Sequence, residues 1–234
     1  MSEPLPTVLV PGLLCSARLY ADQIPVLWQF GPVTVANHTR DDNMSDIARR
    51  ILAAAPPRFA LAGLSMGGYI CLEIMRQAPE RVVKLALMDT TARPDTPEQI
   101  ERRRTFIEIA RRGLLAEVND RLWPVLVHPN HRRDARLQSI MRAMTEETGV
   151  EAFVRQQTAI INRIDSRPTL ATIRCPTLVL VGDGDELIPP DRSEEIANGI
   201  AGARYVVVPE SGHMSTLEQP DAVNRALVEW MKGA

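Results

Sequence analysis

Apolar residues in this chain fall into two kinds of run that alternate. Thr7–Val10, Val33–Ala36, Phe59–Gly63, Val82–Met88, Thr177–Val181 and Tyr205–Val208 are short, and several are apolar at successive positions instead of every second one. A strand that is apolar on both faces must be covered on both, which is the condition of a parallel sheet lying between helices. Between these runs the apolar spacing changes to three and four. Ser45–Ala55 sets Ile47, Ile51 and Leu52 on one face, and Met66–Gln77 carries Ile70, Ile74 and Met75 before Pro79 stops it. Asp221–Met231 places Val223, Ala226, Leu227 and Trp230 at helical spacing. The alternation predicts an α/β fold with a mostly parallel, doubly wound sheet of about six strands.

From Thr91 to about Leu170 the strand pattern stops. Thr96-Pro97-Glu98-Gln99 reads as a helix start, with an N-cap Thr, Pro at the first position and Gln completing a capping box. That helix runs through Phe106, Ile107 and Ala110 to Gly113. A second is expected over Leu114–Trp123 with Pro124 ending it. Leu137, Ile140, Met141 and Met144 mark a third, and a fourth runs from Val150 through Phe153 and Gln157 to Ile164. Residues 91–170 are therefore expected to form a helical cap inserted between two strands of a core made by residues 1–90 and 171–234.

Composition narrows the function classes. The 234 residues suffice for one filled α/β domain. Aromatics at 4% and a formal charge of −2 argue against a nucleic-acid partner. The longest uncharged run, Gln23 to Thr39, is broken by Pro25 and Pro32, so no membrane span is expected. The start, MSEPLPT, has neither a basic nor an apolar leader segment. Cys15, Cys71 and Cys175 lack metal-ligand spacing and read as free thiols of a cytoplasmic protein. Charge is unevenly placed: Thr91–Leu170 holds 14 basic against 11 acidic residues, while the remainder is net negative.

Three strand ends carry the candidate chemistry. Gly63-Leu64-Ser65-Met66-Gly67, followed by Gly68, joins a strand to a helix. A serine on so sharp a turn has strained backbone, and side chains two residues away would strike the adjoining strand and helix unless those positions are Gly. Ser65 also lies at a helix N-terminus, which favours developing negative charge. Val181-Gly182-Asp183-Gly184-Asp185 follows a second strand and Ser211-Gly212-His213 follows the last. The first strand ends in Val10-Pro11-Gly12-Leu13-Leu14, a loop able to supply one of two backbone donors to a carbonyl oxygen as it becomes charged. The expected donors are the N–H groups of Leu13 and Met66.

With these motifs, and with Ser, acid and His in that chain order, the sequence resembles the α/β-hydrolase superfamily over nearly its whole length, in particular its serine-hydrolase branch of enol-lactonases and carrier-protein methyl ester esterases. The resemblance implies a catalytic set of Ser65, Asp185 and His213. It selects Asp185 over Asp183 and keeps Asp89, at the end of the Val82–Met88 strand, as an alternative acid. Two departures are expected: Pro11-Gly12 stands where the family has His-Gly, and only Met1 to Pro6 precede the first strand, so the family's two leading antiparallel strands are absent.

The implied activity is hydrolysis of an ester, lactone or thioester of a small to medium acid, by a monomer or homodimer without metal or cofactor. The alternatives are a carbon–carbon bond hydrolase, a lyase or a cofactor-free haloperoxidase on the same three residues, or a ligand receptor without turnover. The positive balance of the helical region suggests a substrate bearing a carboxylate or a phosphopantetheine arm, with Arg102 and Arg103 as candidates to meet it. His38 reads as a locally bonded loop residue, and His128 and His131 lack partners at metal spacing.

Overall fold

The computed structural model describes residues 4–233. Met1–Glu3, the start of the segment expected to be too short for extra strands, lie outside them. Helix and strand alternate along the chain as β1 (Thr7–Val10), α1 (Ile24–Leu27), β2 (Val33–Val35), α2 (Met44–Ala54), β3 (Phe59–Leu64), α3 (Met66–Gln77) and β4 (Val82–Met88). Then come α4 (Pro97–Arg111), α5 (Leu115–Leu126), α6 (Ala135–Ile161) and α7 (Arg167–Leu170), and finally β5 (Thr177–Gly182), α8 (Pro190–Gly199), β6 (Arg204–Val208), α9 (Ser215–Glu218) and α10 (Pro220–Lys232).

The strands form one six-stranded sheet in the order β2-β1-β3-β4-β5-β6, with every neighbouring pair parallel. Both faces are covered, which explains the unbroken apolar runs. Val8, Val10, Phe59, Leu61, Leu85, Leu87 and Val179 pack on one side against Ile47, Ile51, Ile70 and Ile74 of α2 and α3. Leu9, Ala60, Ala62, Leu64, Met88 and Leu180 pack on the other against Leu227 and Trp230 of α10. The strand order reverses between β1 and β3. In such a sheet the crevice beyond the carboxyl ends of the strands at the reversal is where ligands bind.

The segment between β4 and β5 is helical and carries its own small apolar cluster, in which Ile109, Ala110, Leu115, Val118 and Phe153 enclose Leu14 of the β1 loop. The capping box at Thr96 and Gln99 is formed. One boundary differs from the sequence pattern. Pro124 does not end its helix: α5 continues two residues further to Leu126, and in the last turn the lost N–H bond and the ring's crowding of the preceding turn disturb only the helix end. The two helices expected around Leu137 and from Val150 are both present within α6, parted at Gly149, whose φ of 72° and ψ of 170° break the helical geometry.

Packing at the start of α3 is close enough to require glycine. A Cβ on Gly67 would overlap the carbonyl oxygen of Val10, and one on Gly63 would overlap the Gly67 carbonyl. Both clashes are with backbone, which cannot step aside cheaply. Gly67→Ala is expected to destabilise the protein by about 3 kcal/mol, read from the urea midpoint, in keeping with the cost of overpacking a filled core.

Candidate active site

Ser65 sits on the turn between β3 and α3 at φ 56° and ψ −117°. Four hydrogen bonds hold that strained conformation: Ser65 N–H donates to Met88 O at 2.9 Å, and Ser65 O accepts from Gly68 N–H and the Thr90 hydroxyl, both at 2.8 Å, and from Tyr69 N–H at 3.4 Å. The backbone is thus fixed from β4 while the side chain lines a cavity of about 230 Å³ at the sheet's carboxyl edge. Met66, next in the chain, opens α3, where first-turn N–H groups have no partner within the helix.

His213 lines the same cavity. It is 2% exposed, and its Nδ1 donates to Asp185 Oδ2 at 2.7 Å. Donation from Nδ1 leaves Nε2 of the neutral ring as the free acceptor. The other Asp185 oxygen accepts the N–H groups of Leu187 at 2.9 Å and Ile188 at 2.8 Å, which locks the carboxylate in its turn. Burial disfavours the imidazolium, but the charge and hydrogen bond of Asp185, reinforced by Asp89 and Glu218, outweigh it and hold the His213 pKa above the ordinary imidazole value. No hydrogen bond joins the Ser65 hydroxyl to His213 in this structure.

Asp89 lies deeper. Its Oδ1 accepts Gly182 N–H at 3.0 Å and its Oδ2 the Ser215 hydroxyl, tying β4 to β5 and α9, and it makes no hydrogen bond to His213. Burial and the neighbouring Asp185 charge push its carboxyl well above the usual range. Asp183 points elsewhere and accepts Ser211 N–H at 3.2 Å.

The loop carrying His213 is gripped by Glu218, whose side chain is wholly buried. One oxygen accepts Gly212 N–H at 2.9 Å and Met214 N–H at 3.2 Å, the residues on either side of His213. The other takes His128 N–H at 2.7 Å and meets His131 Nδ1 at 2.9 Å, reaching into the connection after α5. Glu218→Gln exchanges an acceptor for a donor facing N–H groups and is expected to cost about 2–3 kcal/mol of stability by denaturant titration.

The β1 loop is held from two elements. His38, buried, donates from Nε2 to Gly12 O at 2.9 Å and also lies 3.1 Å from Gln156 Nε2 of α6. Gln156 Oε1 accepts Leu14 N–H at 3.2 Å, where the chain has φ 57°. Leu13 between them lines the cavity, and among the described residues its N–H has no acceptor. Burial lowers His38 from 6.5 to about 4. A base whose pKa falls on folding stabilises the protein above its unfolded pKa and loses that stabilisation on acidification. Relative to His38→Gln, the wild type is expected to lose on the order of 3 kcal/mol between about pH 6.5 and pH 4, measured by urea titration across that window.

A family model described as the alpha/beta hydrolase family matches residues 8–226. The chain belongs to that family. Among curated relatives, a protein of Azorhizobium caulinodans that bears the name carbamate hydrolase RutD is 32% identical over 207 residues, covering 85% of this chain and 73% of the relative. Among solved structures, an esterase from Thermogutta terrifontis with malate bound superposes at a TM-score of 0.89 with 30% identity, covering 98% of this hydrolase and 90% of that chain. The enol-lactonase of Burkholderia xenovorans LB400 shares the fold at a TM-score of 0.89 and 24% identity, over 99% and 92% of the two chains. No helix among the described residues of the hydrolase is long and apolar enough to cross a membrane.

The fold of this hydrolase brings Asp185 and His213 into direct contact and makes Ser65, Leu13 and His213 line one cavity. Sequence reasoning did not single out Glu218 or Gln156. Glu218, an acid five residues past His213 in an otherwise apolar and small stretch, was the one available signal. Gln156 carried none, since its partners His38 and Leu14 are more than a hundred residues away.

Proposed function

We propose that this hydrolase cleaves a carboxylic ester, lactone or thioester of a small to medium acid through an acyl-enzyme on Ser65. Ser65 Oγ attacks the carbonyl carbon while His213 Nε2 takes the hydroxyl proton. The carbonyl electron pair moves onto oxygen, and the N–H groups of Leu13 and Met66 receive the charge. Collapse of this intermediate expels the alcohol or thiol, which leaves with the proton from His213. Water, deprotonated by His213, then repeats the sequence and frees the acid. Asp185 holds the ring tautomer and stabilises the imidazolium throughout. The scheme uses no metal or cofactor.

The observation that carries this reading is the convergence on one cavity of a serine held at φ 56° and a buried histidine hydrogen-bonded to a carboxylate. The helices between β4 and β5 supply much of the cavity lining, including Phe106, Leu122 and Met141, which supports residues 91–170 as a cap that selects substrate. Malate in the Thermogutta esterase is a small carboxylic acid of the kind such a reaction would release. Free thiols at Cys15, Cys71 and Cys175 accord with a cytoplasmic setting.

Rapid mixing with p-nitrophenyl butyrate tests the covalent step. The reading requires a burst of nitrophenolate approaching one equivalent of enzyme when deacylation is slow, with a butyryl adduct on Ser65 in quenched samples. Turnover that leaves no adduct at any quench time, with the steady state reached from zero amplitude under conditions that slow deacylation, would contradict it.

A further inference from the structure

The charges around the cavity are unbalanced, and the structure identifies where. Five arginines line it, against Asp95 as the acidic side chain among the lining residues. Asp95 is buried and already engaged by two of them: Arg103 pairs with it, and Arg163 Nη1 lies 2.8 Å away. Arg93 is paired with Glu195 at 2.8 Å. Arg102, on α4, has no ionic or hydrogen-bonding partner among the described residues. The side chain of Arg192, in the first turn of α8, has among the described residues only a 3.4 Å ion contact with the exposed Asp191.

A third group points the same way. Gln157 of α6 is fully buried and lines the cavity. Its Oε1 accepts from Arg103 Nη1 at 2.9 Å, which fixes the amide orientation, and its Nε2 is a buried donor without an acceptor. A buried donor left unpaired is unfavourable, so the site is built for something that supplies the acceptor. The remaining surface, including Leu13, Tyr69, Phe106 and Ile160, is largely apolar.

We infer that this cavity takes a substrate bearing, besides the ester, lactone or thioester group, a free carboxylate that Arg102, Arg192 and Gln157 receive. The inference rests on the serine-hydrolase reading for the scissile group, and the charge and donor pattern adds the carboxylate. A guanidinium presents paired donors that match a carboxylate, and the apolar part of the lining suits a short hydrocarbon chain joining that carboxylate to the scissile carbonyl. Arg103, which the sequence alone ranked with Arg102, is excluded from this role because Asp95 and Gln157 already occupy it.

The test has a kinetic arm and a binding arm. Hydrolysis of monomethyl succinate, glutarate and adipate is compared with that of methyl butyrate, valerate and hexanoate. The wild type is expected to favour at least one anionic ester over its neutral counterpart by about tenfold in kcat/KM. The double variant Arg102→Gln, Arg192→Gln is expected to lose most of that preference through KM while keeping its rate on the neutral esters. Arg104→Gln, an exposed residue paired with Glu101, serves as the control with preference intact. The binding arm needs no turnover: calorimetric titration of Ser65→Ala with glutarate and adipate, with and without the two arginine changes, is expected to show affinity weakened about tenfold by those changes and by raised salt.

Neutral esters hydrolysed as well as anionic ones, with dicarboxylate affinity unmoved by the double variant, would overturn the carboxylate site while leaving the serine mechanism standing. Loss of all hydrolysis with dicarboxylate binding still dependent on the arginines would retain the site and remove the mechanism. Inorganic phosphate binding as tightly as the dicarboxylates would overturn the carboxylate in favour of a phosphorylated group.

Discussion

Ser65→Ala is expected to lower kcat on any turned-over ester by roughly 10⁴–10⁶-fold while leaving the fold intact. The size follows from chemistry: without the hydroxyl no acyl-enzyme forms, and water must attack with only the oxyanion donors and the binding pocket to assist it. The small effect on folding follows from local structure. The Ser65 backbone is held by Met88 O, Gly68 N–H and the Thr90 hydroxyl, all bonds to main-chain atoms that alanine retains. Steady-state kinetics paired with a urea titration separates the two effects. A variant that unfolds at the wild-type midpoint yet keeps more than a tenth of the activity would remove Ser65 from the mechanism.

The second large effect is at Asp185. Asp185→Asn is expected to lower kcat by about 10⁴-fold, because an amide can donate to His213 Nδ1 and so leave the proton on Nε2, where the ring cannot accept one from Ser65. The pH profile carries an independent signature. In the wild type Asp185 raises the His213 pKa against the opposing effect of burial. As the reaction needs the neutral ring, kcat/KM should fall on the acid side with a midpoint above the ordinary imidazole value of about 6.5. In the variant the burial effect is left less opposed and the midpoint moves down. Stability moves in the other direction: a raised pKa contributes most below the unfolded value and is lost as pH rises through the folded one. An acid limb that stays in place in Asp185→Asn would contradict the pairing as the source of the shift.

Much of this was legible in the chain because burial writes itself into local pattern. Strands covered on both faces must be apolar at successive positions, so Phe59–Gly63 and Val82–Met88 stood out, and each lies within a residue of its observed bounds. The turn at Ser65 was equally readable, since Gly63 and Gly67 are demanded by backbone contacts close in sequence or in the adjoining strand. What sequence pattern could not show were pairings between distant positions. Glu218 gripping the loop around His213, Gln156 meeting His38 and Leu14, and the division of labour between Arg102 and Arg103 depend on which side chains the fold brings within about 3 Å of each other. Pro124 misled for a related reason: the local rule forbids proline in a helix interior, but this one sits where α5 is about to end.

The central claim is that Ser65 is an activated nucleophile, and intact-mass analysis after exposure to a small fluorophosphonate tests it most directly. The wild type is predicted to gain the mass of one phosphonyl group, with the adduct mapping to Ser65, and Ser65→Ala to gain none. Folded wild-type protein that stays unmodified, or a Ser65→Ala variant that is labelled equally, would contradict the account.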